Sequence, residues 1–326
     1  MAMKSPFIAF DLEGPLIKND SITELTGLFK GGDILSRVLN RYKELLIIAG
    51  QESGESASIA TLVIPFLITH GITLENIYVL ADKAEIVPGA KEVIAGLKSK
   101  GWQVHCVTTA YLPYARRLGE RLGLEPQNIW GTVLPLDYYE KKVTKTTRGI
   151  IRRTEQAVTA FEPYHADRQI KEKLDRLFSN SRWGLGWLTQ EMSPMGGRRK
   201  LLILRTFALA QRFSLKEVVV VGDSNDDVPM LKAVNKSGGL AIGFNANHEA
   251  LSQATIGLAS TNILDILPVL DAWAKGGRES AFSVIREKAG IFGASERDNI
   301  HIVEPNTLPI DLHTRLRRVA RSKAVE

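Results

Sequence analysis

Two groups of acidic residues stand where carboxylates could act together in one site. Asp11 and Glu13 are two residues apart and follow the apolar run 7–10. Three more acidic residues follow a run of four valines: Asp223, Asp226 and Asp227. Carboxylates held close together repel one another, so their pKa values rise unless a cation is present. Mg²⁺ suits such a cluster, because it prefers oxygen ligands and keeps positions for water and phosphate oxygens.

Hydroxyl and basic side chains that could bind a phosphoryl group occur at two further places. Thr108 and Thr109 end an apolar run that begins at Trp102. Three basic residues follow a glycine pair at the predicted start of a helix: Arg198, Arg199 and Lys200. A cation at this point could neutralise a carboxylate and a phosphoryl group together, or it could belong to a solvated helix N-terminus.

The elements that would position these residues alternate between strands and helices. Apolar runs predict strands at about 6–10, 102–107, 128–134, 218–221, 239–244 and 254–258. Because helical patterns separate them, we expect an α/β fold: a Rossmann-like, mostly parallel sheet covered by helices on both faces. Ligands bind outside the carboxyl ends of such strands, so the acidic and hydroxyl residues are expected at one rim.

These motifs together are similar to those of a known enzyme family. Asp11-Leu-Glu-Gly14, Thr108, Lys200 and Gly222-Asp-Ser-Asn-Asp-Asp227 resemble the haloacid dehalogenase superfamily, and most closely its phosphoserine phosphatase branch. A subgroup that includes a homoserine phosphotransferase has the same Asp-Leu-Glu-Gly form. An uncharacterised archaeal group shares the longer start Asp-Leu-Glu-Gly-Pro-Leu. The resemblance covers roughly residues 6–18, 100–111 and 198–245.

The resemblance implies the catalytic roles. Asp11 matches the nucleophile that forms an aspartyl-phosphate, and Glu13 matches the general acid and base. Lys200, which stands 22 residues before Gly222 as the family spacing requires, matches the lysine that neutralises Asp11 and binds the phosphoryl group. The branch usually has Asp at the position of Glu13, so the backbone must be set for the longer side chain.

The resemblance also implies the metal and phosphate ligands. The expected Mg²⁺ ligands are Asp11, the backbone carbonyl of Glu13, Asp223 and, as the outer carboxylate that orients metal-bound water, Asp227. Thr108 and Thr109 match the positions that hold phosphoryl oxygens. Asp226 stands at a phosphate-binding position where the branch commonly has Asn, and a carboxylate cannot donate a hydrogen bond to phosphate.

The resemblance also predicts how the chain is divided into domains. Residues 1–18, 86–139 and 186–260 are predicted to form the catalytic core, and residues 19–85 a helical cap that closes over the site. Residues 140–185 are predicted to be a basic, mainly helical insertion, and residues 261–326 a C-terminal extension. In the cap, Arg37 and Arg41 are candidates for binding a substrate carboxylate and Glu24 for an amino group. The basic tail, from Arg315 to Lys323, is expected to be disordered.

Composition excludes several classes of protein. The 326 residues are 44% hydrophobic and 24% charged, which is typical of a globular chain, and no apolar run approaches the roughly 20 residues of a membrane helix. The one cysteine, Cys106, excludes an internal disulfide framework and favours a reducing cytoplasm. The basic stretch 141–153 lacks aromatic residues for stacking, so we expect no nucleic-acid partner. Because no apolar run is long enough for a membrane helix, we expect no membrane partner either.

These observations predict a Mg²⁺-dependent phosphatase that hydrolyses a small phosphorylated metabolite. One alternative is a phosphotransferase, which passes the phosphoryl group to an acceptor alcohol. A second alternative is a regulatory or complex-associated protein that keeps the fold with little turnover. The sequence leaves the substrate and the oligomeric state open.

Overall fold

Seven strands form one sheet in the computed structural model, which describes residues 6–49, 58–179, 184–292, 300–303 and 308–321. The strands are β1 Phe7–Phe10, β2 Gln103–Tyr111, β3 Ile129–Thr132, β4 Val218–Gly222, β5 Leu240–Phe244, β6 Ile256–Leu258 and β7 Ile300–Ile302. Their order is β3-β2-β1-β4-β5-β6-β7, and all neighbours are parallel except β6 and β7. The predicted α/β fold is confirmed, with β7 as an additional antiparallel edge strand.

Alternate side chains of each central strand enter two separate cores. In β1, Ile8 and Phe10 pack into one core, and Phe7 and Ala9 pack into the other. All four residues are buried, as expected where helices cover both faces of a sheet. This double burial explains why the strands are continuous apolar runs in the sequence.

Helices occupy the connections between the strands. In chain order they are α1 Ser21–Thr26, α2 Gly32–Ile48, α3 Ile59–Leu62, α4 Ile64–Thr69, α5 Leu74–Lys83, α6 Ala90–Ser99, α7 Leu112–Leu122, α8 Leu136–Lys142, α9 Lys145–Thr159, α10 Asp167–Leu177, α11 Gly186–Glu191, α12 Gly197–Ala210, α13 Val228–Lys236, α14 His248–Leu251, α15 Leu267–Phe292 and α16 Ile310–Arg321. Four 3₁₀ turns accompany them: Pro126–Asn128, Leu215–Glu217, Asn225–Asp227 and Ile263–Ile266. Local signals set several boundaries. A capping box between Thr73 and Asn76 begins α5, and Gly123, at a φ of 77°, ends α7.

Two connections carry helices that pack together beside the sheet. The first connection, α1–α5, lies between β1 and β2 in the chain. Its two ends lie side by side, because the Lys18 N–H donates a hydrogen bond to the Glu85 carbonyl at 2.9 Å. The second, α8–α11, packs against the first. Arg41 of α2 pairs with Asp167 of α10, and His70 bonds Glu155 of α9 at 2.8 Å. The predicted insertion therefore lies on the predicted cap, while the predicted domain boundaries themselves stay a prediction.

The C-terminal extension returns to the sheet. β7 pairs with β6, and α16 buries His313, whose Nδ1 accepts a hydrogen bond from the Ala246 N–H at 3.0 Å. The expectation of a disordered tail from Arg315 was wrong for residues 315–321, which belong to the amphipathic helix α16, held by the buried His313 and by Ile310 packed against the core. Lys323 lies outside the described residues. Gly257 permits this docking, since a Cβ there would stand 2.3 Å from the His301 Nε2 atom and 2.9 Å from that of His313.

No single helix in the described part of the chain is long and apolar enough to cross a membrane. The segments Ile59–Thr69 and Leu74–Lys83 meet the criterion of length and composition only as a pair bent by 119°.

Candidate active site

The first strand delivers Asp11 to the carboxyl edge of the sheet. β1 lies between β2 and β4, and the Asp11 N–H continues the pairing by donating to the Val221 carbonyl at 2.8 Å. The Asp11 side chain is buried, and its Oδ1 atom accepts a hydrogen bond from the Leu12 N–H at 2.7 Å. The carboxylate is thus held in one orientation before any ligand arrives.

Lys200 joins the two acidic groups that are far apart in the sequence. Its side chain is 0% exposed, and its Nζ lies 2.9 Å from Asp11 Oδ1 and 2.8 Å from Asp227 Oδ1. Lys200 is in the first turn of α12, which begins at the glycine pair, as the sequence predicted. Of the three basic residues in the sequence run, Lys200 is the one whose ammonium the structure places against Asp11.

Asp227 is fixed by the turn after β4. Its Oδ2 atom accepts hydrogen bonds from the Asp223 N–H at 2.9 Å and the Ser224 N–H at 3.1 Å. Gly222 makes room for this arrangement, because a Cβ at that position would lie 2.5 Å from the Asp227 side chain. Glycine before the acidic motif is therefore a packing requirement.

Charge at this rim is unbalanced. Burial and the carboxylates of Asp227 and Asp223 raise the pKa of Asp11 well above its usual value, although Lys200 opposes them. Burial lowers the pKa of Lys200, but Asp11, Asp227 and Asp226 together raise it above the usual lysine value, so the ammonium stays charged. Several carboxylates share one ammonium, and a further cation would relieve their repulsion.

The carboxylates fit a metal ion. Asp11, Asp223 and Asp227 each offer an oxygen, and the three oxygens lie within 4.8 Å of one another. All three residues are buried, and oxygen-only ligands of this kind suit a hard divalent cation such as Mg²⁺. The donor set and the excess negative charge therefore match the cofactor that the sequence predicts.

The two threonines lie at the same edge. Thr108 is fully buried near the end of β2, and its Oγ1 accepts a hydrogen bond from the Ala110 N–H at 3.2 Å. Thr109 faces the cavity beside Asp11. Asp226, half-buried, is on the wall of the same cavity and adds negative charge where the sequence predicted contact with phosphate.

Glu13 links the loop after β1 to the first helical connection. Gly14, at a φ of 108°, turns the chain directly after it. The Glu13 Oε1 atom accepts a hydrogen bond from the Ser21 N–H, at the start of α1, at 2.7 Å. Glu13 also lines the cavity, on whose wall Asp11 and residues of α2 lie as well.

A cavity of about 210 Å³ is lined by Asp11, Glu13, Thr109, Asp223 and Asp226, whereas the buried Lys200, Thr108 and Asp227 are not on its wall. Four of its charged or amide wall residues were not candidates in the sequence: Asp20, Asn40, Lys43 and Arg317. Asp20 caps α1. Asn40 and Lys43 are three positions apart on α2, so the helical pattern of the sequence could have predicted that they share a face. A larger cavity, of about 580 Å³, lies between α5 and α7 and contains none of the motif residues, so we assign the chemistry to the smaller one.

Three cap candidates from the sequence are not on the wall of this cavity. The Arg41 Nε atom donates to Asp167 at 2.9 Å, and its Nη1 atom donates to Glu44, so the guanidinium is held between helices. Arg37 is exposed, and Glu24 bonds Asn19 and Tyr114. Cys106 is buried, and burial raises the pKa of its thiol, as expected for an unreactive core cysteine.

Comparisons with known proteins show which proteins this chain is similar to. The model of the haloacid dehalogenase-like hydrolase family matches residues 7–164. A phosphoserine phosphatase of Albidiferax ferrireducens is 21% identical over 258 residues, which are 78% of this chain and 84% of that relative. A solved gene product of Archaeoglobus fulgidus has a TM-score of 0.82 at 24% identity, covering 98% of this chain and 97% of its own. A substrate-bound phosphoserine phosphatase has a TM-score of 0.50 at 17% identity, covering 81% and 97%.

The fold is α/β, and its buried carboxylate–lysine cluster lies at the carboxyl edge of the parallel sheet, where such folds bind ligands. Residues 7–164 match the haloacid dehalogenase-like hydrolase family, and the chain is similar to phosphoserine phosphatase. The predicted family and the predicted enzyme class, a phosphatase, are confirmed.

Proposed function

We propose that the protein is a Mg²⁺-dependent phosphomonoester hydrolase that acts through a phosphorylated Asp11. The observation that carries this proposal is Lys200, a fully buried ammonium between Asp11 and Asp227, 2.9 Å and 2.8 Å from their oxygens. Burying a charge in this way is costly unless it is paired, and a cluster of this kind is typical of a site that handles charged groups.

The first step forms a bond from Asp11 to phosphorus. Lys200 and the Leu12 N–H hold Oδ1, which leaves Oδ2 as the attacking oxygen. As the Asp11–phosphorus bond forms, the bond from phosphorus to the ester oxygen breaks, and the leaving oxygen takes a proton from Glu13. Thr108, Thr109 and Lys200 are the residues that we assign to holding the phosphoryl oxygens, and Asp226 lies beside them.

The second step regenerates the enzyme. Glu13, now ionised, accepts a proton from a water molecule, whose oxygen attacks phosphorus and displaces the Asp11 carboxylate. One residue can serve as acid and then as base, because the first step leaves Glu13 ionised and the second step restores its proton from water. The hydrogen bond from the Ser21 N–H holds the Glu13 carboxyl beside the start of α1 in both steps.

Asp11, the carbonyl of Glu13, Asp223 and the outer carboxylate Asp227 are the residues that would hold Mg²⁺. The ion, when bound, would neutralise the carboxylates and polarise the phosphoryl group.

The cavity favours a small, polar substrate. A volume of about 210 Å³ excludes a macromolecular leaving group from the closed site. Asp20 and Lys43 place opposite charges on the wall contributed by the cap, which suits a metabolite with amino and carboxylate groups. Phosphoserine is the first compound to test, because the curated relative is a phosphoserine phosphatase. The predictions of a cytoplasmic protein without nucleic-acid or membrane partners stay predictions.

A panel of phosphomonoesters tests the proposal. Wild type should release inorganic phosphate from small polar esters with Mg²⁺ and lose this activity after chelation. Asp11→Asn should abolish turnover, while circular dichroism and a cooperative urea transition show that the variant is folded. Phosphate transfer to added alcohols in preference to water would show a phosphotransferase. Absence of turnover across the whole panel would favour the regulatory alternative, and activity that survives either chelation or Asp11→Asn would refute the mechanism.

A further inference from the structure

The C-terminal helix brings a second cation to the site. His313 anchors α16 on the sheet through its bond from the Ala246 N–H, and Arg317 lies one turn further along the same face. Arg317 reaches back across the carboxyl edge to Asp223, although the two are 94 positions apart in the sequence. It lies on the wall of the cavity that contains Asp11.

Two main-chain carbonyl groups and one carboxylate hold the Arg317 guanidinium. Its Nη1 atom donates to the Asp223 carbonyl at 2.6 Å and to the Asn245 carbonyl at 3.4 Å. The same atom lies 3.1 Å from Asp223 Oδ2, which is the charged partner. Because the carbonyls belong to the main chain, the guanidinium stays at the cavity wall when the Asp223 carboxylate binds another cation. Its positive charge would then be available to an anion.

The site needs such a charge. A phosphate ester carries a charge of about −1.5 to −2 at neutral pH, and it must approach Asp11 past Asp223 and Asp226. Lys200 is 0% exposed and already lies against two carboxylates, whereas the Arg317 side chain keeps 23% of its surface exposed. A guanidinium also matches two oxygens of a phosphate group better than an ammonium does.

We propose that Arg317 is a substrate-binding residue, which donates from its guanidinium to an anionic oxygen of the phosphate ester. This inference rests on the proposed function, because it assumes that the cavity takes such an ester. It makes the C-terminal extension part of the active site.

Binding measurements on the full chain test the inference without turnover. Isothermal titration gives the affinity for Mg²⁺ alone and then for inorganic phosphate at saturating Mg²⁺. We expect Arg317→Met to weaken phosphate binding by about 10–100-fold, the range for losing a charged hydrogen bond, and to leave Mg²⁺ binding equal or tighter. Arg317→Lys should recover part of the loss. Arg318→Met, which removes an exposed arginine from the same helix, is the matched control and should resemble wild type.

The outcomes separate the two hypotheses. Unchanged phosphate affinity in Arg317→Met overturns the role of Arg317 while the proposed function stands. An equal loss of Mg²⁺ and phosphate binding also overturns it, since that pattern indicates that Arg317 only supports Asp223. If wild type itself binds neither Mg²⁺ nor phosphate, the proposed function fails and this inference fails with it. Unfolding in urea, measured for every variant, identifies any loss that comes from undocking of α16.

Discussion

Removal of the buried ammonium should reveal how much the site depends on it. Lys200→Met keeps the length of the side chain and removes its charge, which leaves Asp11 and Asp227 buried without a cation. Both contacts are short, at 2.9 Å and 2.8 Å, and the lysine is fully buried, so solvent does not screen them. Removing one partner from a buried ion pair costs about 3–5 kcal/mol. We expect the free energy of unfolding to fall by about this amount.

The assay is urea unfolding at neutral pH in the presence of a chelator. Lys232→Met, at an exposed position of α13, is the matched control and should change the free energy of unfolding by less than about 0.5 kcal/mol. Adding Asp227→Asn to Lys200→Met should recover part of the loss, because the amide oxygen can still accept from the Asp223 N–H while one buried charge is gone. A loss below about 1 kcal/mol, or no recovery in the double variant, would refute the ion-pair reasoning.

Three further outcomes follow from other contacts. Glu13→Gln should slow hydrolysis of alkyl phosphates by about 10²–10⁴-fold and of p-nitrophenyl phosphate much less, and mass spectrometry should find phosphorylated Asp11; equal slowing of both esters would exclude proton transfer by Glu13. Burial and His301 lower the pKa of His313 to about 3, below the unfolded value of about 6.5. Its contribution to stability is therefore complete above pH 6.5 and falls by about 1.4 kcal/mol per pH unit on acidification. His313→Phe should flatten the pH dependence of the free energy of unfolding, and an unchanged slope would contradict this. Gly257→Ala should increase hydrogen exchange in 308–321, because its Cβ would displace both histidines; unchanged protection would argue against this packing.

The match to the family model and the candidate site cover different parts of the chain. The family model ends at residue 164, before Lys200 and the acidic turn after β4. The structure supplies these later residues and places them against Asp11. The site is therefore complete only when residues from both halves of the chain meet at the sheet.

The strands and the main candidate residues could be predicted from the sequence because their signals are local. A strand buried on both faces must be apolar along its length, as Val218–Gly222 is, and the charged residue that ends it marks the carboxyl edge. The choice of Lys200 over its two arginine neighbours followed from spacing in the same way. The short β7 and the amphipathic α16 lacked so clear a signal, since high charge resembles disorder until a partner surface is known.

Only the tertiary structure decided which distant residues meet. Arg41 was a candidate for substrate binding, but α10 places Asp167 against it and holds it between helices. Arg317 was assigned to a disordered tail, but the docking of His313 carries it to Asp223. Sequence periodicity reports which face of an element is buried, and it contains no information about the element that covers that face. The motifs therefore determined the chemistry of this protein, and long-range packing decided which charges surround it.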